Sequence, residues 1–173
     1  MDRPVALVCG RRGHVVDALV AALARQGYDV HLAWSPASDG WGADAQVAAR
    51  VRVSPTEADV VARVRGRWQV AIIAGTSVRH QVVEELGEAL HRRAETELLV
   101  VLDPRDQPGG GGPSPAPATG PVALAGRPRV TVVAPRSGHR PRRRGAGRTE
   151  RRAGRTARQA LEGLRQSRAV VTY

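Results

Sequence analysis

The chain has 173 residues, 42% of them hydrophobic, with a single cysteine and a formal net charge of +11. That length suits one domain with a real core and is short for two. Cys9 alone rules out an internal disulfide, and the longest apolar run, residues 15–24, is interrupted by Asp17 and cannot span a bilayer.

All 27 basic residues are arginine; lysine, asparagine and phenylalanine are absent and there are two isoleucines. Residues with A/T-rich codons are the missing ones, so GC-rich coding explains part of the arginine count. The charge is also unevenly placed. Residues 1–135 hold 15 arginines against 14 acids, whereas residues 136–173 hold 12 against 2. The first part reads as an ordinary near-neutral globular sequence with a basic extension attached. A soluble cytoplasmic protein is expected, because Val5–Cys9 is too short for a signal-peptide core and runs into Arg11 and Arg12.

In chain order, Val5–Cys9 is a continuous apolar run of strand length, as a parallel strand covered on both faces requires. Apolar residues at 15, 16, 19, 20 and 23 recur at helical spacing up to Arg25, and Gly27 stops that helix. Val30–Trp34 reads as a second strand, Ser35–Gly42 as turn-rich, Ala43–Ala49 as a short helix and Val51–Val53 as a third strand. Ser54-Pro55-Thr56-Glu57 predicts a helix start, with Ser54 as the cap and Glu57 as its capping-box partner, and the helix runs to about Arg65.

Val70–Ala74 is the fourth strand, His80–Arg93 is helical, and Leu98–Leu102 is the fifth strand, ending at Asp103-Pro104. Pro108–Pro121 has the composition of a linker, and Arg129–Ala134 predicts a sixth strand. Residues 136–156 are arginine-rich without apolar periodicity and are expected to be disordered, with a last helix over Thr156–Arg168. Strands alternating with helices at this spacing predict a three-layer α/β Rossmann-like domain with a mainly parallel sheet, followed by a basic, flexible C-terminal extension. The expected divisions are a core over 1–107, the linker 108–121, an additional strand within 122–135 and the tail 136–173.

The turn after the first strand is the place for chemistry. In a Rossmann unit, glycines there let the backbone approach a pyrophosphate while the next helix aims its amides at the anion. Gly10 and Gly13 hold two of those positions, with Arg11 and Arg12 between them as candidate phosphate partners. The third position is Val15 or Val16, so the fingerprint is incomplete, and a tight strand-to-helix turn with no ligand is the competing reading.

VALVCGRRG (Val5–Gly13) followed by QGYDV (Gln26–Val30) resembles the opening of the short-chain dehydrogenase/reductases, and among them the ketoacyl reductases. WQVAIIAG (Trp68–Gly75) is similar to that family's strand ending in Asn-Asn-Ala-Gly: Ala74 and Gly75 match, while Ile72 and Ile73 replace both asparagines. The resemblance spans roughly residues 4–102 and implies NADP as cofactor, held by Gly10, Arg11, Arg12, Gly13, Ala74 and Gly75. It also implies a catalytic tyrosine with a lysine four residues later. The chain has no lysine, and its tyrosines are Tyr28 and Tyr173, so that pair is absent and no catalytic residue is assigned. Arginine is no substitute, since its charge is fixed and its geometry differs. The chain therefore resembles a degenerate, shortened member of the family.

His14, His31, His80, His91 and His139 are scattered without metal-ligand spacing, and no metal is expected. His14, at a helix start, would face any bound phosphate. Glu84 and Glu85 diverge on a helix, and Asp103 before Pro104 reads as a turn residue. The arginine tail could meet phosphates, but no aromatic residue lies between Trp68 and Tyr173 and coding bias explains much of the arginine, so a nucleic-acid partner is not expected; a flexible tail, or docking onto an acidic partner, is the favoured reading. Gly13-His14 and Gly27-Tyr28-Asp29-Val30 also resemble the N-terminal half of two-domain glycosyltransferases, but the proline after Gly-His is missing and a second domain does not fit. The expectation is a non-catalytic accessory subunit pairing with a homologous reductase, or a homodimer, with His80–Arg93 in the interface. The alternative is an active NADP-dependent oxidoreductase with unfamiliar catalytic groups.

Overall fold

A computed structural model describes residues 3–33, 44–65, 67–75, 78–93, 95–101, 124, 129–134, 146–166 and 170–172. Seven strands form one sheet: β1 Val5–Gly10, β2 Asp29–Ala33, β3 Val51–Ser54, β4 Trp68–Ala74, β5 Glu97–Val101, β6 Val130–Ala134 and β7 Val170–Thr172. Their order is β3-β2-β1-β4-β5-β6-β7, and every neighbouring pair is parallel. The helices are α1 His14–Arg25, α2 Ala45–Ala48, α3 Glu57–Val64, α4 His80–Arg92 and α5 Ala146–Arg165. The chain builds outward from β1 to β3, then returns to lay β4 on the other side of β1. The strand order reverses there, which leaves a crevice at the carboxyl ends of β1 and β4.

Period-two alternation sorts the core into two layers. Ala6, Val8 and Ile72 face α1 and α5; Leu7, Cys9 and Ile73 face α3 and α4. Because both faces are covered, β1 and β4 read as unbroken apolar runs. Leu124, from the connection between β5 and β6, is buried on the α3/α4 side. At the end of α1, Gly27 adopts φ +97°, its N–H donates to Ala24 O, and the Tyr28 N–H donates to Leu23 O. This is the left-handed stop that the sequence predicts at Gly27.

Three elements differ from expectation. The cap of α3 is Thr56, whose Oγ1 accepts from the Asp59 N–H at 3.1 Å and donates to Asp59 Oδ2 at 2.7 Å. Ser54, the expected cap, instead closes β3, and Glu57 is the first helical residue rather than the capping partner. The Thr-x-x-Asp box outcompetes the overlapping Ser-x-x-Glu one because pairing with β2 keeps Ser54 extended.

The terminal helix begins at Ala146, ten residues before Thr156, and ends at Arg165. Ala157, Ala160, Leu161 and Leu164 are buried in one cluster with Leu19, Leu23, Leu99 and Val133, and Ala153 is buried as well. An alanine stripe of this kind carries little apolar signal by itself, yet it lets α5 approach α1 closely. β7, three residues long, was not expected at all, and it extends the sheet beside β6. Over 146–166 and 170–172, therefore, the chain is part of the domain and not a flexible extension. Residues 34–43, 102–123 and 135–145, with the expected turn at 35–42, Asp103, the linker 108–121 and His139, lie outside the described residues, as does Tyr173.

Arg129 is a residue whose structural importance the sequence does not announce. It has φ +64°, a backbone region that side chains disfavour, and its guanidinium donates to the carbonyls of Leu90, Arg93 and Thr96. The last turn of α4 leaves carbonyls without helical partners, and this cation satisfies them while tying α4 to the start of β6. Arg129→Ala is expected to lower stability by about 2–3 kcal/mol, since charged hydrogen bonds to buried carbonyls are lost. For a domain of this size that is a fall in Tm of roughly 5–10 °C, read by thermal denaturation. A change below 1 °C would show that the clamp is ornamental.

Candidate functional site

The switch point gathers four of the six residues expected to hold a cofactor. Gly10 pairs in register with Ala74, the Arg11 N–H donates to Ala74 O at 2.8 Å, and the Gly75 N–H donates to Val101 O at 3.0 Å. Gly10 has φ +103° and Gly75 has φ +77°. A Cβ on Gly10 would lie 2.1 Å from Ala74 O and 2.9 Å from Val78 Cγ2. These residues build the turn: Gly10 is required by the backbone crossing it, and the Ala74 carbonyl and Gly75 amide are already hydrogen-bonded within the protein.

Gly13 is different. It is the N-cap of α1 in an extended conformation, and a Cβ there would meet nothing within 4 Å. No side chain caps the first amides of α1. An uncapped helix start facing open space suits an anion. Arg11 and His14 are exposed beside it. Arg12 is drawn the other way, with its Nε 3.0 Å and 3.1 Å from the two carboxylate oxygens of Asp17. Burial raises the pKa of Asp17, and the Arg12 hydrogen bond and charge pull it back down. Of the two arginines between the glycines, Arg11 is the one left facing outward.

The neighbouring helix start is closed. Glu57 Oε2 accepts from the Arg79 N–H at 3.3 Å, which places a carboxylate at the start of α4 and disfavours a second anion there. The same Glu57 charge, added to complete burial, pushes the Cys9 thiol far above its ordinary pKa. Cys9 stays protonated and is no nucleophile at neutral pH. At the carboxyl end of β3, Ser54 is 2% exposed and its hydroxyl has no hydrogen-bond partner. Its position in the sequence gave no sign of this, because strand pairing alone turns it inward.

A dinucleotide is thus matched unevenly. Open space at Gly13 and the uncapped start of α1 fit its phosphates. Tyr28 follows α1 at the amino edge, separated from the crevice by the length of β2, about 16 Å for five residues. Among the described residues no His/Cys/Asp/Glu group could hold a metal ion. His80 lies 3.6 Å from Glu84 as an exposed pair, and His91 is exposed in the last turn of α4. His31 is half-buried with an unpartnered Nδ1, and burial together with the charges of Arg52 and Arg63 holds its pKa down. His31 lies within β2 and His91 at the far end of α4, away from the switch point. No described helix is long and apolar enough to cross a membrane.

No family model matches the sequence, and no curated protein does. Solved structures do match. A short-chain dehydrogenase/reductase from Serratia marcescens aligns over 98% of this chain and 96% of its own at 15% identity, with a TM-score of 0.57. A doubly substituted variant of the same enzyme gives 16% identity over 98% and 95%, with a TM-score of 0.56. A presumed oxidoreductase of Escherichia coli K-12 aligns at 17% identity over 98% and 95%, with a TM-score of 0.54. At such identities the likeness speaks for architecture, and with the strand order and the switch-point turn it shows that this chain has the Rossmann-like fold of the short-chain dehydrogenase/reductases.

Proposed function

We propose that the chain is a degenerate short-chain dehydrogenase/reductase-like protein that retains a dinucleotide-shaped edge but not the proton relay, and acts as a non-catalytic accessory subunit of an active, ketoacyl-type reductase. The observation that carries this reading is the lack of any lysine in the chain, joined to the placement of Tyr28 at the edge of the sheet opposite the crevice. When bound, NADP supplies a hydride. The residues here would hold its phosphates at the start of α1, with Gly13 giving clearance and Arg11 an opposite charge. Of the protonatable groups near them among the described residues, the Cys9 thiol is buried and Asp17 is tied to Arg12.

Purified protein should bind NADPH weakly or not at all in a calorimetric titration, and should show no NADPH oxidation with a ketoacyl substrate. Turnover by this chain alone would sink the accessory reading in favour of an active oxidoreductase with unfamiliar groups. Co-purification of an intact reductase from the native source supports it. A monomer that captures no homologous reductase counts against it.

A further inference from the structure

We propose that the outer face of α5 is a docking surface for the phosphate backbone of duplex nucleic acid, bound without reading base sequence. Arg151, Arg155 and Arg158 lie on one stripe, at i, i+4 and i+7, directly opposite the buried stripe of Ala153, Ala157 and Ala160, and Arg152 flanks them. All four are exposed, and no ion pair or hydrogen bond engages them among the described residues. Some exposed arginines have acidic partners, as Arg25 meets Asp44 and Arg92 meets Glu88, while Arg165 at the end of α5 meets Glu162. On α5, the charge stays uncompensated from Arg151 until Glu162, near the end of the helix.

The chemistry of the face selects the partner. Protein interfaces centre on apolar and aromatic side chains, with arginine the charged residue they favour among them. From Arg151 to Arg165 the outer α5 face offers no apolar or aromatic side chain, because Ala153, Ala157, Ala160, Leu161 and Leu164 are buried. Nucleic-acid interfaces are polar and strongly positive, and arginine forks match phosphate oxygens. Successive arginines on the stripe are one helical turn apart, a rise of roughly 5 Å, comparable to the separation of neighbouring phosphates along one strand. Residues 136–158 carry ten arginines and one glutamate, so the sequence leading into the helix continues the same charge. The lack of aromatic residues from 69 to 172 removes a stacking platform for single-stranded bases and leaves the backbone of a duplex as the fitting target. The sequence by itself speaks against a nucleic-acid partner, through the lack of stacking residues and the GC-rich coding of arginine; the arginine stripe on one face of a folded helix is the observation that speaks for phosphates.

The test is fluorescence anisotropy of the full chain with a labelled mixed-sequence DNA duplex, between about 50 and 200 mM salt. Binding should weaken with salt, and two duplexes of unrelated sequence should bind alike. Three neutralised phosphates correspond to a slope of about −3 in log affinity against log salt, roughly 40-fold across that range. The R151A/R155A/R158A chain should lose that share of the slope, whereas the triple Arg→Lys chain should keep it. An unchanged circular dichroism melt for both variants shows that the fold is intact, as these side chains touch nothing in the core. Absence of binding at low salt, an alanine variant that binds like the parent, or equal affinity for polyglutamate would each overturn the proposal, the last in favour of an acidic protein partner.

Discussion

Gly10→Ala is expected to lower stability by about 4 kcal/mol or more, enough to leave much of the protein unfolded, given total stabilities of roughly 5–15 kcal/mol. Two effects combine. The φ of +103° disfavours any side chain, and the new Cβ would sit 2.1 Å from the Ala74 carbonyl oxygen. That oxygen cannot retreat without giving up its hydrogen bond from the Arg11 N–H, and β4 lies in the middle of the sheet. Gly13 supplies the control. Its Cβ would meet nothing, its backbone is extended, and as an N-cap it would gain from a hydroxyl. Gly13→Ser should hold or raise stability by a few tenths of a kcal/mol. Thermal melts of the two variants separate a glycine needed by the fold from one that merely keeps space clear. Equal melts would mean the backbone crossing at Ala74 is not as close as described.

Deleting residues 146–173 is expected to abolish the cooperative unfolding transition. The deletion removes α5 with Leu161 and Leu164, each worth about 1.5–3 kcal/mol of burial, and bares Leu19, Leu23, Leu99 and Val133 on the layer it covers. It also strips β7 from β6, opening an unpaired edge on an apolar strand, which invites aggregation. In the full chain, Leu161→Ala should cost about 2–4 kcal/mol with the fold retained. A deleted chain that melts within a few degrees of the parent would mean that the C-terminal region is the appendage its composition suggests. The basic surface of α5 would then have no rigid support.

The parts of this protein legible in its sequence are those whose causes are local. β1, its turn, α1 and the Gly27 stop follow from an apolar run, a 3.6-residue period and one residue free to adopt positive φ, all within thirty positions. The alternation of strands and helices then constrains the sheet to be parallel, since such connections close in one hand. The missing lysine is likewise final from the sequence, because no fold can supply a residue the chain lacks.

What needed the tertiary structure are the features whose causes lie far apart in sequence. Gly10 is required by a carbonyl 64 residues away. Ser54 is turned inward by β2 while Thr56 takes the cap. Arg12 is occupied by Asp17, and Arg129 holds the end of α4 from 36 residues downstream of Arg93. α5 was hidden for the same reason. Its inward stripe is mostly alanine, which carries almost no hydrophobic signal in a list of residues but packs well once a flat neighbour such as α1 is brought against it. Sequence alone determined the architecture and that these 173 residues contain no lysine; only long-range packing decided which glycine serves the fold, which arginine of the turn faces outward, and that the helix at 146–165 belongs to the domain.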